Sequence, residues 1–148
     1  MVDRFKTFSS SIFEITRCWH KLAGEEMAKY DLKGPYAIYL IALDQQEKGL
    51  TARQICELCG RDKADVSRAV TDLEQKELVC RNGDGAYKTR ITLTPKGKLA
   101  ACHVGVRARI AVENAGEGLS DQDRAVFYKA LGIITENMHR LSVEGLPE

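Results

Sequence analysis

The sequence predicts a mainly α fold, a winged helix-turn-helix set between N- and C-terminal helices that form a dimerisation region. Three observations predict it. Large apolar residues recur at alternating steps of three and four at both ends of the chain, the mark of a helical seam. The middle breaks into short helical segments separated by capping and stop signals. A strong hairpin-turn stretch, Asn82-Gly83-Asp84-Gly85, then divides two strand-like runs. At 148 residues, 44% hydrophobic and 29% charged, the chain has the size and composition of one ordinary globular domain.

Each element follows from local chemistry. Phe5, Phe8, Ile12 and Ile15, continued by Trp19 and Leu22, line one face of a first helix over about 2–30. Gly34 and Pro35 open a second helix that runs through Lys48, with proline in its first turn, and Gly49 ends it. Thr51 and Gln54 form a capping box for Ala52–Cys59, which Gly60 stops. Asp62 caps the next helix, with Asp65 placed to help satisfy its first amides. That helix buries Val66, Val70 and Leu73, with Ala69 beside them, and ends near Glu77.

Strands follow over 78–82 and 86–94. Thr94 and Pro95 start a long helix that fades at Gly116 and Gly118. Ser120 and Asp123 cap a last helix with the seam Phe127, Leu131, Ile134, Met138 and Leu141. The expected organisation is therefore a single domain over 1–148, with the winged core at about 34–98 and dimerisation helices at about 2–30 and 95–142. The two seams either pack on their own domain or pair with the same helices of a second copy. So short a chain has little other core to cover both, which favours the homodimer.

Helix, short helix, helix and hairpin is an arrangement that DNA-binding proteins use to lay the second helix of the pair in the major groove. The outer face of that helix carries Lys63, Ala64, Asp65, Ser67, Arg68 and Thr71. Ala64, Asp65 and Ser67 are small enough for close approach. Arg68 can take guanine or phosphate in a bidentate contact, Ser67 and Thr71 can donate or accept, and Lys63 suits phosphate. Asp65 either caps the helix, the favoured role, or accepts from a cytosine amino group. The bland alternative is a solvated helix with no partner.

Alternation in the second strand puts Tyr87, Thr89, Ile91 and Leu93 on one face and Lys88 and Arg90 on the other. Two outward cations suit phosphates or a narrow minor groove, or merely a solvated sheet face. Arg53 and Gln54, at the start of the short helix, are candidate backbone contacts. Residues 51–98 hold 10 Lys/Arg against 7 Asp/Glu, although the whole chain carries only +1. That mild bias is compatible with nucleic acid.

From Leu50 to Gly97 the sequence resembles the winged-helix core of the multiple-antibiotic-resistance regulators, the MarR family. The residues are "GLTARQICELCGRDKADVSRAVTDLEQKELVCRN" followed by "ITLTPKGKLA". The terminal helices match in placement. The resemblance implies an obligate homodimer on pseudo-palindromic double-stranded DNA, often a repressor released by a small ligand or by oxidation. It implies that Ala64, Asp65, Ser67 and Arg68 face bases and that Lys88 and Arg90 belong to the wing. Family wings usually brace an arginine with an acidic residue; "NGDGAYKTR" lacks that stretch, leaving Arg90 as a substitute.

Sensor candidates are few. Cys56 and Cys59 form a CxxC inside a short helix, with no second pair at ribbon spacing, so core cysteine is favoured over zinc or redox chemistry. Cys18 has Arg17 beside it, and a nearby cation activates a thiol. Arg17, Cys18, Trp19, His20, Tyr36 and Tyr39 could line a pocket for a small aromatic acid, or the aromatics could be dimer core. Cys102 with His103, or Cys18 with His20, could supply metal ligands, since sulfur and imidazole suit zinc, but no carboxylate–histidine spacing supports a site.

The sequence therefore predicts no metal, no cofactor and no enzymatic activity: no Ser/His/Asp set or Gly-rich phosphate loop stands out. A winged-helix protein–protein module without DNA binding is the competing function. The charged, serine-containing N-terminus and the lack of a long apolar run predict a cytoplasmic protein with no membrane partner.

Overall fold

The computed structural model describes residues 3–83 and 88–147. The element order is α1 (Arg4–Ala28), a 3₁₀ turn (Gly34–Tyr36), α2 (Ala37–Asp44), α3 (Ala52–Cys59) and α4 (Lys63–Gln75). β1 (Val79–Asn82), β2 (Arg90–Leu93), α5 (Pro95–Ala115) and α6 (Asp121–Glu144) complete it. The chain forms two compact units, Met1–Arg109 and Ile110–Glu148. Among the described residues no helix is long and apolar enough to cross a membrane.

In the first unit the predicted caps form. The Thr51 side chain accepts from the Gln54 amide at 3.2 Å while the Gln54 side chain accepts from the Thr51 amide at 2.9 Å. Two otherwise orphaned donors are thereby satisfied reciprocally. Asp62 accepts from the Asp65 amide at 2.8 Å and so fixes where α4 begins. Gly60 ends α3 in the left-handed region, at φ 60°. α2 is shorter than its sequence suggests: the helix expected through Lys48 stops at Asp44. The polar run after it turns instead, through Gly49 at φ 75°, so that Leu50 can exchange backbone hydrogen bonds with Ile91 at 3.0 and 2.8 Å.

The wing is a two-stranded antiparallel sheet in which Val79 faces Leu93, Cys80 faces Thr92, Arg81 faces Ile91 and Asn82 faces Arg90. Its second strand begins at Arg90, so Lys88 and Thr89, read as strand from the sequence, lie outside it. The reading of Asp84, Gly85, Ala86 and Tyr87 as turn and strand falls outside the described residues.

One core holds this unit together. Tyr36 of the 3₁₀ turn and Leu40 and Leu43 of α2 meet Ile55 and Cys59 of α3, Val66, Val70 and Leu73 of α4, Ile91 of the wing, and Ala100, Ala101 and Val104 of α5. Gly97 lets α5 lie against the connection between α4 and β1: a Cβ there would sit 1.9 Å from the Leu78 carbonyl oxygen. Thr94 joins the same corner, its hydroxyl donating to the Glu77 carbonyl at 2.6 Å and accepting from the Gly97 amide at 3.0 Å.

The terminal helices behave differently. α1 runs the length its seam predicts, yet Met27 is its one buried residue. Phe5, Phe8, Ile12 and Ile15 are all exposed, at 80, 40, 41 and 59%. In the second unit Ser120 caps α6 by accepting from the Asp123 amide at 3.1 Å. α6 buries none of its residues: Phe127, Ile134 and Met138 are exposed, Leu131 and Leu141 half-exposed.

Candidate nucleic-acid interface

α4 carries the candidate face. Its apolar side, Val66, Ala69, Val70 and Leu73, is buried. Its other side leaves Lys63, Ala64, Ser67, Arg68 and Thr71 exposed and Asp65 half-exposed. The helix is thus fixed by one side and presents small, donating and cationic groups on the other, as a groove-reading helix must.

Asp65 departs from the expected capping role. Asp62 supplies the cap, and the Asp65 carboxylate instead accepts from Arg68 Nη2 at 2.5 Å. Residues three apart on a helix are neighbours, which puts the Arg68 guanidinium within reach of the Asp65 carboxylate. This pairing holds the Arg68 guanidinium above its usual range. An ion pair this exposed is weak, because solvent screens it and two side chains must be ordered to hold it, so a phosphate or a guanine can displace it.

The other candidate contacts are partly committed. Arg53 pairs with Glu57 at 2.9 Å on the open face of α3. The Gln54 side-chain oxygen accepts from the Thr51 amide, which holds that side chain at the start of α3 and leaves its NH2 group as the donor a backbone contact would use. Lys88 is exposed in the turn before β2. Arg90 does not stand free on the wing: its Nη1 donates to the Gly49 carbonyl at 3.0 Å. The guanidinium is thereby tied to backbone beneath the wing.

The residues proposed for a sensing pocket separate. Tyr36 and Tyr39 belong to the core, at 7 and 3% exposure. The Tyr36 hydroxyl donates to Asp72 Oδ2 at 2.5 Å, and burial together with that carboxylate pushes its pKa up to about 12. Burial likewise raises the Tyr39 hydroxyl. Arg17, Cys18, Trp19 and His20 lie on exposed parts of α1 instead. Arg17 is paired with Glu14 at 2.6 Å, and the Cys18 thiol donates to the same carboxylate at 3.5 Å. The cation foreseen beside Cys18 is thus shared, paired with Glu14 and also 3.9 Å from the Cys18 Sγ. A groove of about 350 Å³ does open beside Tyr36, lined by Asp31, Leu32, Lys33, Asp72, Gln75 and Lys76.

All five cysteines are free thiols. Cys59 is buried against α4's core face, and that burial pushes its thiol up; Cys56 packs beside it. The core reading of the CxxC therefore holds. Among the described residues no three His, Cys, Asp or Glu side chains converge as a metal would require.

Sequence reasoning missed three long-range partners. Asp72 ties α4 to Tyr36. Glu26 accepts from Lys29 at 2.6 Å, Arg107 at 2.9 Å and the His103 ring at 3.0 Å, which lowers its pKa to about 2. Arg81 on β1 donates to Thr71 Oγ1 at 3.3 Å and lies 3.6 Å from Glu74. A signal for Arg81 was present: period two puts it on the face of Val79, which must turn inward.

The comparisons agree with this fold. A family model for the MarR family matches residues 30–86. No curated protein matches the sequence. Among solved structures, a MarR transcriptional regulator from Methanosarcina mazei Go1 superposes with a TM-score of 0.82 at 21% identity, covering 95% of this chain and 94% of that one. A MarR family transcriptional regulator from Listeria monocytogenes, complexed with 26mer DNA, superposes at 0.81 and 19% identity, covering 100% and 99%. A third, from Silicibacter pomeroyi, gives 0.74 at 22% identity over 85% and 86%.

Proposed function

We propose, from the premise that residues 30–86 of this chain form a winged helix of the MarR family, that the protein is a homodimeric, sequence-specific DNA-binding transcription regulator. One observation carries the reading: α4 is anchored by Val66, Val70 and Leu73 while Lys63, Ser67 and Arg68 remain exposed on its far side. In this reading Ser67 and Arg68 meet base edges, Ala64 leaves room for approach, and Lys63, Thr71, Arg53 and Lys88 meet phosphates.

The homodimer is supported by the two uncovered seams. α1 and α6 each present a row of large apolar side chains that solitary chains in water rarely leave exposed. Two copies joined there would set two α4 helices against a pseudo-palindromic operator, one duplex turn apart. We read the protein as a repressor released by a small ligand or by oxidation; the open groove beside Tyr36 and the free thiols are the features that such signals could address.

A gel shift on DNA upstream of the protein's own gene tests the reading. Binding should beat a scrambled duplex, weaken steeply with salt and collapse for Arg68→Ala. The neutralised Arg68 and the tied Arg90 favour one competitor, a winged-helix protein–protein module. That competitor predicts no salt-dependent shift. Footprints with peroxide or aromatic acids, repeated with Cys18→Ser, test the release.

A further inference from the structure

We propose that Arg81 is a further phosphate-contacting residue of the DNA interface, meeting the backbone at the rim of the major groove and opposed by Glu74; the proposal rests on the DNA-binding reading above. The sheet register fixes where Arg81 points. It pairs with Ile91, which is buried, so it shares the sheet face turned toward α4 rather than the outer face of Cys80 and Thr92. Its guanidinium therefore emerges beside α4, donating from Nη2 to Thr71 at 3.3 Å. The side chain remains 41% exposed.

Lys63, Ser67 and Thr71 stand four residues apart on α4, hence on one ridge. At a rise of 1.5 Å per residue, Thr71 lies about 12 Å along the axis from Lys63. The major groove is only about 8.5 Å deep. A helix that enters by its N-terminal turn, with Ser67 and Arg68 at the base edges, therefore has Thr71 near the level of the phosphates. Arg81 joins the ridge at that height. A guanidinium carries five donors in a planar fork, and Thr71 uses one of them, which leaves donors for a phosphate.

Glu74 sets the opposition. Its carboxylate lies 3.6 Å from Arg81 Nε, so it both neutralises that cation and repels a phosphate placed there. The pair makes affinity depend on which anion, carboxylate or phosphate, the guanidinium holds.

The test is a salt titration of DNA binding by fluorescence anisotropy. It uses the full chain, wild type and variants, on a duplex from the upstream region. Arg81→Gln should weaken binding about tenfold at low salt, the loss of one charge-assisted contact. The slope of log affinity against log salt should become shallower by about 0.9 per protomer. Arg81→Lys should keep the slope, because a point charge suffices for phosphate. Glu74→Gln should bind more tightly and with a steeper slope. Thermal unfolding of each variant confirms the fold. A folded Arg81→Gln with the wild-type slope overturns the proposal, as does an Arg81→Lys that loses as much as Arg81→Gln. If instead the wild type shows no salt-dependent binding to any duplex, the DNA-binding reading itself falls and takes the proposal with it.

Discussion

Replacing Tyr36 by phenylalanine removes one oxygen and nothing else from the core. The ring is 7% exposed and stays packed among Tyr39, Leu40 and the α4 side chains. What disappears is the 2.5 Å bond to Asp72, the link between the start of the second helix and α4. A hydrogen bond to a charged partner contributes about 1.5–3 kcal/mol, but half-exposed Asp72 recovers part of that from water. The expected loss is about 1.5 kcal/mol, or about 3–6 °C in Tm for a chain of this size.

The pH dependence supplies an independent check. The Tyr36 hydroxyl has its pKa raised from 10.0 to about 12, so the folded state holds that proton more tightly than the unfolded chain. Its contribution is present in full below pH 10 and is lost as pH rises toward about 12. Tyr36→Phe should lack that alkaline loss, so the two Tm curves should converge above pH 10. Differential scanning calorimetry at one fixed protein concentration measures both arms. Equal Tm at pH 7 and parallel curves to pH 12 would refute the link.

Three further outcomes follow from other parts of the fold. Gly97→Ala should cost about 3 kcal/mol or more, because its Cβ would meet the backbone oxygen of Leu78, which cannot swing aside; chemical denaturation reads the loss. Glu26, held at about 2 by Lys29, Arg107 and His103, stabilises the fold above pH 4.5 and stops doing so as pH falls toward 2. Glu26→Gln should therefore flatten the acid limb of the stability curve by about 1 kcal/mol, screening included. A double charge on the α6 seam, Ile134→Asp with Met138→Lys, should turn dimers into monomers by light scattering while leaving the wing and α4 folded.

Much of the fold was legible because its signals are local. Thr51 with Gln54, Asp62 and Ser120 with Asp123 act within one helical turn, and their chemistry alone sets where α3, α4 and α6 begin. α2 was overextended because the competing interaction, Leu50 with Ile91, joins positions 41 residues apart and leaves no trace in the run 45–48. The exposed face of α4 was also legible, since helical periodicity divides anchored from free positions.

The partners of that face were not. Asp65 reads as a cap from its position in the first turn, and its pairing with Arg68 instead is visible only in the placement of the two side chains. Tyr36 with Asp72 and Glu26 with His103 are separated by 36 and 77 residues, and no periodicity connects them. The pocket alternative was open for the same reason: a run of aromatic and basic residues does not reveal that two of its tyrosines belong to the core.

Guanine methylation interference on the upstream duplex probes the central claim most directly, that the free face of α4 reads the major groove. Methyl groups at guanine N7 should abolish binding at two clusters about 10 base pairs apart, and Arg68→Ala should erase that pattern. Binding that ignores N7 methylation everywhere, by a protein shown to be folded, would contradict it.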